Sequence, residues 1–275
     1  MQGALRRSLS FLPSQSRYMT LSARLQEAVR AGLVHLFASA IVAVVCGVLV
    51  FGLWYPHPYS ELTGGRTLFI VLVAVDVVCG PLLTMVVFDR RKPRTELRRD
   101  IALIVLLQLT ALGYGLASVL EARPVYLAYE GDRFRVVTLA EVDPQAVSEA
   151  PKGLQSFGWT GPELLGVRLL QPGDPEYLRS VQLALEGVHP ALRPSRWVPY
   201  TEQVPDVLRH LRPVSLLKER HPQLKELIER TLARASLDAA QAGFLPVVSR
   251  HGGDWVVLVS RKDGRPVGFL QVDGW

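Results

Sequence analysis

Cysteine is scarce in this chain of 275 residues, and the two present, Cys46 and Cys79, both lie in apolar runs. The polar half after residue 120 has none, so it holds no disulfide scaffold and no cysteine-built zinc module, whichever compartment it occupies. Histidine is equally thin. His35, His57, His189, His210, His221 and His251 form no i, i+4 pair and no Cys/His ligand spacing, so no metal site is expected. A Gly-rich phosphate loop, a nucleophile elbow and a basic-aromatic ladder are all lacking, which leaves no cofactor and no enzyme class indicated. The formal charge of +6 invites a nucleic-acid reading, but its distribution removes that. Residues 1–120 carry 12 Lys or Arg against 6 Asp or Glu, whereas residues 121–275 carry 19 of each. The excess sits beside apolar runs, where it reports orientation in a bilayer and no polyanion surface.

What the chain has in abundance is long apolar sequence. About twenty consecutive apolar residues cross ~30 Å of hydrocarbon as a helix, because a helix satisfies its own backbone there. Three stretches qualify, at about 33–54, 67–88 and 101–120. The first is too long for a signal peptide and ends in Trp54-Tyr55-Pro56-His57-Pro58, with aromatics suited to a headgroup interface and prolines that stop a helix. Its connection to the second run holds Arg66 as its one basic residue. The next connection holds Arg90, Arg91, Lys92, Arg94, Arg98 and Arg99, so the second loop and the amino terminus are expected in the cytoplasm and the half after residue 120 outside. Residues 1–32 then form a cytoplasmic segment in which Met19 is a candidate initiator and 1–18 lie upstream of it. From Thr20 the spacing of Leu21, Leu25, Ala28 and Val29 predicts an amphipathic helix running into the first span.

Residues 121–275 predict a small α+β domain. Segments 125–129 and 134–139, joined by Glu130-Gly131-Asp132-Arg133, have the alternation and turn chemistry of a hairpin. Asp174-Pro175-Glu176 opens a helix that Gly187 ends, and a second helix is expected at about 222–235. Three strands at 245–250, 255–260 and 267–272 predict an antiparallel meander. The stretch between the hairpin and Gly173 gives no clear signal. The expected fold is thus a three-helix transmembrane bundle followed by a small α+β extracytoplasmic domain with an antiparallel C-terminal meander.

Asp76 stands out, because a charged side chain at the centre of a membrane helix costs about 3 kcal/mol or more to insert. Helix rise places it about level with Thr110 to Tyr114 and Cys46. Three roles stay open: an uncharged carboxyl hydrogen-bonded to Thr110 or Tyr114 that glues the bundle, a contact for another transmembrane helix, or part of a proton path. Gly80 and Pro81 follow it, with Pro81 removing one helical hydrogen bond. Asp76, Gly80, Pro81, Thr84, Gln108 and Tyr114 form the candidate set for client binding or intramembrane polar contact; none is catalytic.

Together the segment Trp54-Tyr55-Pro56-His57-Pro58, Asp76 with Cys79-Gly80-Pro81-Leu82-Leu83-Thr84, then Lys92, Asp100, Gln108, Tyr114-Gly115, Arg123-Pro124-Val125 and the ending LPVVSRHGGDWVVLVSRKDGRPVGFLQVDGW resemble the TfpX/TfpZ family of type IV pilin accessory proteins. The likeness runs from about Leu33 to Trp275 and thins between Asp143 and Gln241. It implies a bacterial inner-membrane protein that associates with the type IV pilin subunit and promotes surface piliation without catalysis, with no catalytic residue to carry over. The partners expected are therefore pilin and the lipid bilayer, and no nucleic acid. A different class, an extracytoplasmic ligand-sensing membrane module, fits a small domain after a membrane span but lacks a cytoplasmic output domain.

Overall fold

The structure, a computed structural model, describes residues 15–275, with side chains from Arg24 onward. Most of the upstream segment 1–18, on which the choice of initiator turns, lies outside the described residues. α1 (Gln15–Leu49) is one helix that continues through a π-helical turn, Val50–Trp54. The stretch after Thr20 is thus the leading part of the first long helix. A short helix α2 (Tyr59–Leu62) follows, then α3 (Gly65–Val87) and α4 (Arg94–Glu121). Arg24–Trp54, Gly65–Val87 and Arg94–Glu121 are long and apolar enough to cross a membrane, by length and composition. Their surfaces agree: Phe37, Val44, Val48, Val71, Val86, Leu103 and Leu106 are all exposed, an apolar display that water would not tolerate. α3 runs uninterrupted through Pro81.

The chain forms two compact units, one holding the residues up to Val45 with Val71–Gly115 and the other Cys46–Ile70 with Leu116–Trp275. The second unit is built on a mixed sheet of eight strands. β1 (Pro124–Tyr129) and β2 (Phe134–Thr138) make the expected hairpin, with Leu127 opposite Val136. β3 (Glu163–Val167) comes from the stretch that carried no clear signal and pairs parallel with β1. After helix α5 (Tyr177–Leu185), β4 (Trp197–Pro199) closes one edge, and α6 (Tyr200–His210) crosses back. The two-residue β5 (Arg212–Pro213) and helices α7 (Val214–Arg220) and α8 (Lys225–Arg234) precede the antiparallel meander β6 (Ala242–Val248), β7 (Trp255–Ser260) and β8 (Pro266–Leu270). The strand order is β4-β3-β1-β2-β6-β7-β8, with β5 beside β6, and β2 pairs parallel with β6. The hairpin and the meander are therefore halves of one sheet. Both of its faces are covered, which is why β1, β2 and β7 are buried along their whole length.

Leu127, Tyr129, Phe134, Val136, Leu245 and Val257 point into the core beneath α6, and they are joined there by Leu62 of α2. Val214, Leu217, Ile228 and Leu232 of α7 and α8 cover Phe244, Val256 and Leu258 on the other face. Burial raises the phenol pKa of Tyr55, Tyr59, Tyr126, Tyr129 and Tyr200, with Tyr126 pushed up to about 12. A folded pKa above the unfolded value of 10.0 contributes stability that is complete below pH 10 and is lost as pH rises through the folded value. An alkaline titration of the detergent-solubilised protein should find these phenols silent until the sheet unfolds. Tyrosinate absorbance amounting to all eight tyrosines near pH 10 without unfolding would contradict it.

Candidate functional site

In the first unit, three close approaches fix the helices. Gly32 of α1 lies against Met85, Gly80 of α3 against the Gln108 side chain, and Gly115 of α4 against Leu72; a side chain at any of these glycines would overlap its neighbour. Without a hydrophobic drive between helices in lipid, such close packing is what holds them. It leaves a cleft of about 970 Å³ whose walls are α1 and α4 and whose floor is α3. Val34, Ala38 and Val42 line one wall and Val105, Leu109 and Leu112 the other.

The floor is polar. His35 Nδ1 meets Thr84 Oγ1 at 2.6 Å, with Thr84 and Ser39 both buried. Gln108 Nε2 donates to the Asp76 backbone oxygen at 3.1 Å and to its carboxylate Oδ1 at 3.3 Å. Only glycine at position 80 lets the Gln108 amide lie across α3 to reach Asp76. At one end of the cleft the lining turns polar and charged, with Gln26 beside Glu27, Arg30 and Arg90; Arg90 reaches Glu27 at 3.4 Å, an exposed pair worth little by itself.

Of the residues singled out in the sequence, Asp76, Gly80, Thr84 and Gln108 come together here, and Pro81 is buried beside Gly80. The partner of Asp76 is Gln108, in place of Thr110 or Tyr114. Thr110 Oγ1 donates to the Leu106 carbonyl of its own helix, and Tyr114 is 78 % exposed and does not line the cleft. His35 and Ser39 escaped sequence reasoning, although two polar residues four apart in the first apolar run share one helix face and could have been read. Among the described residues no group of His, Cys, Asp and Glu could hold a metal ion.

In the second unit, the connection between the first two long helices is folded into the sheet. Tyr55, 1 % exposed, donates its hydroxyl to the Val119 carbonyl at 2.7 Å, satisfying one of the carbonyls that the last turn of α4 leaves without a helical donor. Arg123, 5 % exposed, donates to the Gly158 carbonyl at 2.7 Å, and burial pulls its pKa down. The Gly161 amide caps the Leu53 carbonyl at 2.7 Å. Ser249 Oγ donates to the Leu62 carbonyl at 2.6 Å. A smaller cleft of about 420 Å³ lies between α2 and the β6–β7 turn, lined by Glu61, Arg66, His251 and Trp255 among others, and an ion pair of Arg66 with Glu61 occupies its polar side.

Residues 23–64 match the family model described as "Fimbrial assembly protein FimB". The chain is 32 % identical over 231 residues to "Fimbrial assembly protein, serogroup I" of Dichelobacter nodosus, covering 83 % of this chain and 89 % of that protein. It is 30 % identical over 230 residues, with the same coverage, to the serogroup E1 protein of that organism. A third relative, of serogroups C1 and C2, is 36 % identical over 109 residues, 40 % of this chain and 83 % of its own length. No solved structure matches.

Proposed function

This chain belongs to the family of fimbrial assembly proteins, and on that premise we propose that it serves pilus assembly as a non-catalytic accessory of the TfpX/TfpZ kind, holding the pilin subunit in the inner membrane before it is incorporated. The observation that carries the reading is the cleft between α1 and α4. Its apolar walls suit the side of a single transmembrane helix, ~10 Å across, and its polar floor suits one that brings a hydrogen-bonding group to mid-membrane. A lipid chain offers Asp76 and Gln108 nothing, whereas a client helix with a donor or acceptor at that depth does. Arg90, Arg91, Lys92, Arg94, Arg98 and Arg99 in one short loop favour that loop inside and the sheet unit outside, in the periplasm. On this reading the sheet unit meets the client's head while the cleft keeps its helix.

Two strains test the proposal. Deletion of the gene should lower pilin abundance and surface pili together, and complementation should restore both. Unchanged pilin and unchanged pili in the deletion would sink it. A reporter active only outside the cytoplasm, fused after Trp275, should be active, and the same reporter after Lys92 silent; the reverse would overturn the orientation.

A further inference from the structure

The segment from Phe157 to Gly161 is tied to the exits of two long helices. The Gly161 amide donates to the carbonyl of Leu53, one residue from the end of the first apolar helix, and Gly161 packs against Pro56. Two residues past the end of α4, Arg123 reaches the Gly158 carbonyl. Phe157 turns inward, its ring 5.9 Å from that of Tyr126 and 6.2 Å from that of Trp197. Trp159 does the opposite. It is 73 % exposed, in a segment whose neighbours on both sides are held by buried contacts and backbone hydrogen bonds.

We propose that Trp159 is a membrane-interface anchor, its indole seated in the headgroup layer of the leaflet at which α1 and α4 end. The inference rests on reading those helices as spans and not on any client. Gly161 is fixed to the helix exit, and the two residues back to Trp159 can carry its Cα at most about 7 Å away. The polar layer outside the hydrocarbon is itself about 5–8 Å deep. An exposed Trp so tethered therefore lies at headgroup depth, where an amphipathic ring with one N–H donor is at its most favourable. Leu53, whose carbonyl holds Gly161, is itself 47 % exposed. The partner is the lipid surface, and the effect is to seat the sheet unit on the bilayer by a contact separate from the helices.

The test is made on the full chain in phosphatidylethanolamine/phosphatidylglycerol nanodiscs, with bromine placed at shallow or deep positions of the acyl chains. The chain has five tryptophans, so the signal of Trp159 is taken as the difference between the unaltered protein and Trp159→Phe. Near-ultraviolet circular dichroism verifies that the exposed site changes nothing in the core. The difference component should be quenched by shallow bromine and be inaccessible to aqueous iodide. Quenching by iodide would overturn the inference by placing the ring in water. Quenching by neither would also overturn it, because protein would then cover the ring. Trp54→Phe, at the end of the first apolar helix, is the control. Loss of a bromine-quenched component there, without one at Trp159, refutes the anchor and spares the span; absence at both refutes the span and the anchor with it.

Discussion

Leu62→Asp is expected to unfold the sheet unit while leaving the three long helices intact. Leu62 sits on a four-residue helix in the connection between the first two of those helices, yet it is fully buried among Leu127, Tyr129, Phe134, Val136 and Trp255. Cutting a buried Leu back to Ala costs about 2–5 kcal/mol, and burying a carboxylate in its place costs more unless a partner is found. Against a typical total of about 5–15 kcal/mol, that removes most or all of the margin. A fragment of residues 123–275 should fail for the same reason, since it discards Tyr55, Tyr59 and Leu62 together. It should give no cooperative thermal transition, and a version with residues 53–67 joined through a flexible linker should recover one. A fragment of 123–275 that melts cooperatively at the temperature of the intact unit would show that the connection is only draped on the sheet.

Ser39→Trp should abolish, and Asp76→Leu sharply reduce, capture of pilin by a photocrosslinker placed at Val42 or Leu109, at unchanged levels of the protein. Ser39 is 6 % exposed and lines the cleft, so an indole there fills the space a client helix would take. Asp76→Leu removes the carboxylate, and an interhelical hydrogen bond in lipid is worth about 1–2 kcal/mol, roughly 5- to 30-fold in occupancy. Asp76→Asn should be far milder, because an amide oxygen can still accept from Gln108. Asp76→Leu also orphans Gln108, so the double variant Asp76→Leu with Gln108→Leu separates the two effects. Recovery of capture in the double variant would assign the loss to the stranded amide and remove Asp76 from the client contact. Equal capture in Ser39→Trp and the unaltered protein would put the contact outside the cleft.

Local chemistry made much of the fold legible. The hairpin appeared in its turn residues and alternation, the meander in three strands divided by HGGD and RKDGR, and the three long helices in bare apolar length. What stayed hidden was non-local. β1 with β3 and β2 with β6 are parallel pairs, and β2 and β6 are separated by more than a hundred residues. No short-range pattern signals such a pairing. β3 follows Gly161-Pro162 and reads as loop. Pro205 stands inside α6 and masked an amphipathic helix that packs Val207 into the core. Trp54-Tyr55-Pro56-His57-Pro58 read as an interface and a helix stop; the burial of Leu62 against the sheet depends on strands that come much later. Within the site, Asp76 and Gln108 were visible because polar residues are conspicuous in apolar runs. The cleft was not, because its shape depends on which glycines face which helices.

The hydrogen bond between Ser249 and Leu62 spans 187 residues. At a synthesis rate of about 5–20 residues per second, Leu62 leaves the ribosome about 10–40 s ahead of the strand that will cover it. For that interval the connection waits without β6 and β7 over Leu62 and without the Ser249 donor for its carbonyl. Each newly made chain thus passes through a window in which a protease has its best chance, and completion of β6 and β7 closes it.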